Sequence, residues 1–557
     1  MSSANELAVE KRSGLQRVLD GVERVGNRVP HPVVIFLILI ALIIVLSHVF
    51  YLADSQVTFD QATVSQQVEP SGEELVGDED YQSPEPEVEQ VTVKAQSLLT
   101  GDGIRFIFTS PVDNFNGFGV MGVILVAMIG VGLAEEVGLI GAFIKRLVKV
   151  TPAKFVTFSI ALLGVLSSIA TDAGYLVLIP LAAAVFHSLG RHPLAGLATA
   201  FAGVGAGFGV NLLITPIDGM LAEITNEAIP DPARHVSITG NLYFSIVSTI
   251  LVALLVTLLT EKVVEPRLGR YDEAEAAAPG DAEAIGGIGA PDGPEDTPES
   301  GDLTPEERRG LRWAFWGLVG VTVAVLALSL PPDAPLRNPD TGSLVEGSPL
   351  LGSIIFLILV YFFVMGLCYG KGAGTIKGSA DVINPMTKTI ASLSGLFFLL
   401  LAIAQFIAYF NYSHLGTIAA VNMADFLEGA GWPTWLLIVG LVVMTAVIDI
   451  FIGGVVPKWA IFAPIFVPLF IQLGLSPNLA VAAYRVGDSP INVVTPLMPY
   501  FALIVIFAER YRKKAGVGSI ISLMLPYTVV LIVAWTALLV AWYLLGIPLG
   551  PGAPLHL

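Results

Sequence analysis

Asp449-Ile450-Phe451-Ile452-Gly453-Gly454-Val455-Val456-Pro457 interrupts an otherwise apolar stretch, 432–474, and leaves an arm on either side. Each arm is shorter than the roughly 20 residues a helix needs to cross a hydrocarbon core. Two short arms around a polar, Gly-rich tip predict a re-entrant hairpin, which a bilayer tolerates only where protein covers the tip. A second stretch, 152–189, has the same form around Ser167-Ser168-Ile169-Ala170-Thr171-Asp172. Between and beside them lie nine predicted spans: 31–53, 117–137, 193–229, 240–263, 311–330, 349–370, 389–411, 478–509 and 520–546. The expected fold class is an all-α polytopic membrane protein, with nine transmembrane helices and two opposed re-entrant hairpins.

Composition agrees. Of 557 residues, 54% are hydrophobic and 14% charged, against about a quarter charged in soluble domains, which excludes an ordinary soluble enzyme. The formal charge of −18 is local, because residues 54–90 and 271–303 hold 21 of the 47 acids and no Lys or Arg. No basic nucleic-acid footprint exists, and Cys368, the sole cysteine, excludes an internal disulfide framework. With the N-terminus cytoplasmic, 23 of the 29 Lys and Arg fall inside and four outside, while Lys458 and Arg485 sit at membrane depth. That asymmetry follows the positive-inside rule and gives the orientation.

The predicted organisation is then a cytoplasmic segment, 1–30, and a first membrane half, 31–263, with an external loop, 54–113. A cytoplasmic linker, 264–308, precedes the second half, 309–557. The linker is rich in Ala, Gly, Pro and acids and is expected to be disordered, since it buries too little apolar surface to offset its ordering entropy.

The halves echo one another. Tyr175, Pro180, Gly190 and Pro193 are matched 284 residues later by Trp459, Pro464, Gly474 and Pro477. After a three-residue slip, Asn211 with Thr215-Pro216 corresponds to Asn492 with Thr495-Pro496. By the predicted topology the first hairpin enters from the cytoplasm and the second from outside, so the repeat is inverted. Secondary transporters commonly have this layout and bind substrate where Gly/Pro-interrupted helices of the two halves meet. Gly203 to Gly209 and Gly487 to Pro499 are such interruptions.

Ionisable groups within a membrane are costly and mark function. Here they are Asp172, Asp218, Asp449, Lys458, Arg485 and Asp488, with Asn211 as a further polar candidate; Glu135 and Glu136 read as interfacial. The densest constellation is Arg485-Val486-Gly487-Asp488-Ser489-Pro490-Ile491-Asn492-Val493-Val494-Thr495-Pro496. A carboxylate, an amide oxygen and carbonyls freed by Gly487 and Pro490 are hard donors, which point to Na⁺ or H⁺ rather than zinc. The competing reading is an Arg485–Asp488 ion pair that only neutralises charge. Arg485 could equally face an anionic substrate, Trp459 could stack on an aromatic ring or merely pack, and Lys458 is expected to snorkel to the external interface. His-Glu-x-x-His, Walker Gly-Lys-Ser/Thr, Gly-x-Ser-x-Gly and Gly-x-Gly-Asp are all absent from the sequence, so neither an enzyme nor a nucleotide-driven pump is expected.

Longer motifs carry a resemblance. Val25-Gly26-Asn27-Arg28-Val29-Pro30-His31-Pro32, Gly101-Asp102-Gly103-Ile104-Arg105-Phe106, Ser168 to Tyr175, Ala404-Gln405-Phe406-Ile407-Ala408-Tyr409-Phe410-Asn411 and Lys458-Trp459-Ala460 through Pro464 resemble the AbgT family over nearly the whole chain. The resemblance implies a homodimer and an ion-coupled carrier of p-aminobenzoyl-glutamate, of sulfonamide-type antimetabolites, or of both, by uptake or export. It implies a Na⁺ site at Asp449, Gly453, Asp488 and Asn492, and transport residues at Asp218, Trp459, Pro477, Arg485, Asp488 and Pro496. Asn is usual in the family where this chain has Asp449. A Na⁺-coupled dicarboxylate carrier on the same scaffold is the alternative, and a passive anion channel is the reading from another class.

Overall fold

The computed structural model describes residues 32–63, 87–169, 174–272, 303–344, 348–450, 452–496, 498, 500–513 and 515–557. The segment 1–30, residues 273–302 of the acidic linker and the tip residue Asp172 lie outside them.

In chain order the principal helices of the first half are α1 (Pro32–Leu52), α2 (Gly101–Thr109), α3 (Pro111–Gly117), α4 (Val120–Glu136), α5 (Leu139–Val150), α6 (Val156–Leu166), α7 (Ile179–Ser188), α8 (Pro193–Phe201), α9 (Pro216–Glu227) and α10 (Leu242–Leu259). Those of the second half are α11 (Pro305–Ser329), α12 (Ile354–Ala373), α13 (Ala380–Ser392), α14 (Ser394–Tyr412), α15 (Leu415–Gly429), α16 (Thr434–Asp449), α17 (Val455–Gln472), α18 (Pro477–Asp488), α19 (Phe501–Glu509) and α20 (Val517–Leu544). Helices dominate because lipid offers no partner for backbone N–H and C=O groups, which must then bond within their own segment.

Seven helices among the described residues are long and apolar enough to span a bilayer, or nine if two bent pairs each count once. The set differs from the predicted spans in an instructive way. Stretches 193–229 and 478–509, read as single crossings, are broken helices: α8 runs into a π-helical turn, Ala202–Ala206, before α9, and α18 ends in a tight turn, Ser489–Ile491, before α19. Conversely α17, read as a hairpin arm, is 18 residues long. Its start is set by Gly454, whose φ of +86° only glycine adopts without strain.

The segment 54–113, expected as a loop, contains strands and short helices. Strands β1 (Gln56–Thr63) and β2 (Glu87–Lys94) pair antiparallel, with Gln56 opposite Lys94, and Val57 and Ala95 pack on Ile418 and Val421 of α15. Next, α2 and α3 lie against α14, where Asn114 donates to Gln405 at 2.9 Å and Gln405 to the Pro111 carbonyl at 2.9 Å.

The 284-residue offset has a backbone counterpart. Gly190 and Gly474 both turn through left-handed φ, +70° and +67°. Each is followed by a helix with proline in its first turn, α8 and α18, capped by His192 on the Leu194 amide and by Ser476 on the Asn478 amide. A Pro at the first helical position gives up an N–H that has no partner there anyway. The two helix breaks then touch. Ser489 Oγ accepts from the Gly209 amide at 2.9 Å, and Asn492 Nδ2 lies 3.4 Å from the Gly205 carbonyl. A Cβ on Gly209 would come within 2.3 Å of Ser489 Oγ, so the crossing requires glycine.

A segment beyond α20 joins the halves on one face. Tyr243 and Phe244 donate their amides to the Leu549 carbonyl, Ser476 donates to the Leu555 carbonyl and Leu557 to that of Gly474.

Candidate functional site

Helix α18 is buried along its whole length and carries two charged clusters on successive turns. Its close seating against α16 depends on Gly487, whose added Cβ would meet the Val442 carbonyl at 2.5 Å.

The first cluster crosses between halves. Arg485 Nη1 donates to Asp218 Oδ1 at 2.6 Å and to the Gly209 carbonyl at 3.0 Å. Asp218 is held at the start of α9 by a capping box, its Oδ2 accepting from the Thr215 amide at 2.6 Å and the Thr215 hydroxyl at 2.8 Å. The Thr-x-x-Asp spacing that builds this cap is legible in the sequence. Arg485 is 4% exposed. The expected alternative, an Arg485–Asp488 pair, is not formed: the two residues are three apart on α18, and Arg485 reaches α9 instead.

The second cluster lies within the second half. Lys458 Nζ contacts Asp449 Oδ1 and stands 2.6 Å from Asp488 Oδ1, with all three side chains at most 1% exposed. Tyr484 Oη lies 3.1 Å from Asp488 Oδ1 and 2.5 Å from the Val455 carbonyl. The expectation that Lys458 snorkels outward is therefore corrected. Two carboxylates retain it, and burying an ammonium without them would cost several kcal/mol, on the order of the ion's desolvation. The cluster holds two acids against one base. Asp449 Oδ2 and, one turn earlier, Thr445 Oγ1 are buried with no hydrogen-bond partner.

Of the residues assigned to a Na⁺ site, Asp449 and Asp488 meet on the same ammonium. Gly453 lies in the 450–454 connection, and Asn492 belongs to the crossing of the helix breaks. Among the described residues no group of three or more His, Cys, Asp and Glu is placed to hold a metal ion. Hard oxygens at Asp449 and Asp488 suit Na⁺ chemically, with the unpartnered Oδ2 as a free donor, but Lys458 stands between them in this conformation.

Trp459 is fully buried, donates from Nε1 to Thr225 Oγ1 at 3.0 Å and lies 4.9 Å from the Tyr484 ring. In this conformation it packs and offers no face to a ligand. Pro477 opens α18, and Pro496 lies past its break. Asn211 braces the first half: Nδ2 reaches the Val165 and Leu166 carbonyls and Ser168 Oγ, at 3.0–3.3 Å. Sequence reasoning missed Tyr484 and Thr215 as partners of the charged groups. It also missed a pocket of about 10 Å³ beside Arg485, room for about one water, lined by Asp218, Ser237, Asn241, Asn478 and Val481 among others.

The "AbgT putative transporter family" matches residues 17–557. The p-aminobenzoyl-glutamate transport protein of Escherichia coli (strain K12) is 34% identical over 535 residues, covering 95% of each chain. The solved structure of the Alcanivorax borkumensis YdaH transporter aligns with a TM-score of 0.80 at 40% identity, over 94% of this chain and all of that one. That of Neisseria gonorrhoeae MtrF, described as illuminating a class of antimetabolite efflux pumps, aligns at 0.80 and 38%, over 97% of this chain and all of that one. The dicarboxylate alternative finds no support among these relatives, which are named as transport proteins and pumps and not as enzymes. The chain is a multi-pass membrane transporter, and it belongs to the AbgT family.

Proposed function

We propose that this chain is an ion-coupled secondary transporter of p-aminobenzoyl-glutamate-like aromatic carboxylates and amides and of sulfonamide-type antimetabolites. It works as a homodimer in the bacterial inner membrane with its N-terminus cytoplasmic. The names of the relatives support the substrate class, and the bias of Lys and Arg supports the orientation.

The observation that carries ion coupling is the buried Asp449–Lys458–Asp488 cluster. Two carboxylates against one ammonium leave a net negative charge that a low-dielectric interior penalises. One added cation removes it. A proton needs only the unpartnered Oδ2 of Asp449, so H⁺ is the coupling ion this geometry favours. Na⁺ is the second reading; it would draw on Asp449, Gly453, Asp488 and Asn492 and would require Lys458 to withdraw. A proton on Asp449 releases Lys458 from that carboxylate and leaves Asp488 as its sole counter-ion, whereas Na⁺ would displace the ammonium from both; either change alters the tie between α17 and α18.

The test is flux of labelled p-aminobenzoyl-glutamate, or of a sulfonamide, in proteoliposomes under an imposed pH gradient and under a Na⁺ gradient. The expected result is pH-driven flux that Asp488→Ala abolishes. Equal flux with neither gradient applied would replace the carrier with a passive channel.

A further inference from the structure

Helix α5 carries charge of one sign. Between Glu136 and Asp172 the chain has no acid and four bases, Lys145, Arg146, Lys149 and Lys154. The helix buries Leu139, Ala142, Ile144 and Val148, and Lys145 is taken up by Glu307 of α11 at 3.0 Å. Its exposed residues include Phe143, Arg146, Lys149 and Val150, followed by Lys154 and Phe155 in the turn into α6. Phe143, Arg146 and Val150 stand at i, i+3 and i+7, so they share one face of the helix. That face interleaves cationic heads with apolar groups, Phe143, Val150 and Phe155 being 50–56% exposed.

Neighbouring residues set the depth of this face. With 12 residues, α5 is about 18 Å long and too short to cross a bilayer. The chain bends by 117° between α5 and the next helical stretch, Ala153–Ile169, so α5 does not continue its direction. Leu139 and Ala142 pack in one cluster with Leu303, just before α11, and Ala314 within it. Less than two turns after Glu307, α11 exposes Trp313, Phe315 and Trp316 directly beyond Arg308 and Arg312. Exposed tryptophans next to a basic run mark the boundary between headgroups and acyl chains. Tied to α11 at that level, α5 has the make-up of a helix lying in the interface, with its bases at phosphate depth and its rings toward the acyl chains.

The second half supplies a contrast. Helix α15 leads into 432–474 as α5 leads into 152–189, yet it contains Asp425 and Glu428 and no Lys or Arg. A helix in this position therefore does not need positive charge in order to fold.

We propose that the exposed face of α5, with Lys154 and Phe155, is a docking surface for the headgroups of anionic phospholipids. Arg146, Lys149 and Lys154 meet the phosphodiesters, and Phe143, Val150 and Phe155 enter the first layer of acyl chains. In the proposed orientation the leaflet is the cytoplasmic one. The occupied surface anchors the connection between α4 and α6, from which the first hairpin starts, so lipid charge acts on the root of that hairpin.

The test is hydrogen exchange of the full-length protein in nanodiscs of phosphatidylcholine alone and in equal mixture with phosphatidylglycerol. Protection over 143–155 is expected to rise at least about fivefold in the mixture, the attraction of a single base to an anionic surface, while α15 stays unchanged. Raising the salt to about 1 M, where the screening length is about 3 Å, should remove the gain. The triple variant Arg146→Gln, Lys149→Gln, Lys154→Gln should lose the gain, and Phe143→Ser with Phe155→Ser should lower protection in both kinds of disc. Equal protection of the wild type in the two discs would overturn the proposal, as would a gain that survives in the triple variant. The same gain produced by inorganic phosphate in phosphatidylcholine discs would overturn the lipid surface in favour of a simple anion site. Discs present both faces of the protein and the measurement does not use flux, so the result is independent of the proposed orientation and of ion coupling.

Discussion

Arg485 Nη1 lies 2.6 Å from Asp218 Oδ1, a buried ion pair between residues 267 positions apart, one in each half of the chain. Breaking one side of such a pair leaves an uncompensated charge and costs about 3–5 kcal/mol. Asp218→Asn and Arg485→Gln should therefore each lower the melting temperature in detergent and abolish flux. The double variant should regain most of the stability and none of the transport. A double variant as unstable as the worse single one would show that the two residues do not act as a pair.

Lys458 and Asp449 should respond in opposite directions. Lys458→Met leaves two carboxylates facing each other and is expected to destabilise by about 3–5 kcal/mol or to trap a protonated, inactive protein. Asp449→Asn removes the surplus charge while keeping an oxygen for Lys458. It should raise thermal stability and flatten the pH dependence of flux. A pH profile matching the wild type would take Asp449 out of the coupling step.

Trp459 separates packing from hydrogen bonding. Trp459→Phe keeps a ring against Tyr484 and loses the bond to Thr225, a cost of about 1 kcal/mol. Trp459→Ala also opens a cavity and should cost about 3–5 kcal/mol. If the indole packs as described, flux in the Phe variant stays within a few-fold of wild type. Loss of binding by Trp459→Phe without loss of stability would instead assign the ring to the ligand.

Outside the membrane, Asp381 caps the start of α13 by accepting from the amides of Lys377 and Gly378, at 2.8 and 2.9 Å. Those two bonds hold its carboxyl below the ordinary aspartate value. A carboxyl lowered on folding stabilises above its unfolded pKa and loses that contribution as pH falls through the folded value. Protection against hydrogen exchange at Lys377 and Gly378, relative to the intrinsic rate, should therefore fall on acidification, and Asp381→Asn should remove that local dependence. Exchange equally pH-dependent in the variant, after correction for the intrinsic rate, would dismiss the cap.

Much of this was legible before any coordinates. Runs of apolar residues gave the membrane class, and the shared prolines and glycines at offset 284 gave positions whose backbone the structure finds alike, Gly190 with Gly474 and Pro193 with Pro477. Of the membrane-depth charges named in the sequence, Asp218 meets Arg485, and Asp449 and Asp488 meet Lys458, while Asp172 lies outside the described residues. Their partners were not legible, for physical reasons. Arg485 sits one turn from Asp488 on the same helix, so proximity in sequence favoured that pair, whereas the partner it takes comes from a helix break folded across from the other half. Lys458 looked like an interfacial residue because lysine usually extends to water; only a carboxylate on each side, nine positions before it and thirty after it, keeps it inside. The β1–β2 hairpin escaped notice because its apolar residues, Val57, Phe59, Ala62, Val88, Val91 and Val93, are scattered among polar neighbours.

One consequence follows from the placing of both charged clusters on α18. A helix of 12 residues transmits displacement along its axis, so the grip of Arg485 on α9 and the grip of Asp488 on Lys458 share one free energy. Linkage is then reciprocal: whatever factor an ion at Asp449 or Asp488 applies to affinity at Arg485, a ligand at Arg485 applies to affinity for the ion. A thermodynamic square of two binding constants, each measured with and without the other ligand, has to close, and the size of its diagonal is the coupling strength of the transporter.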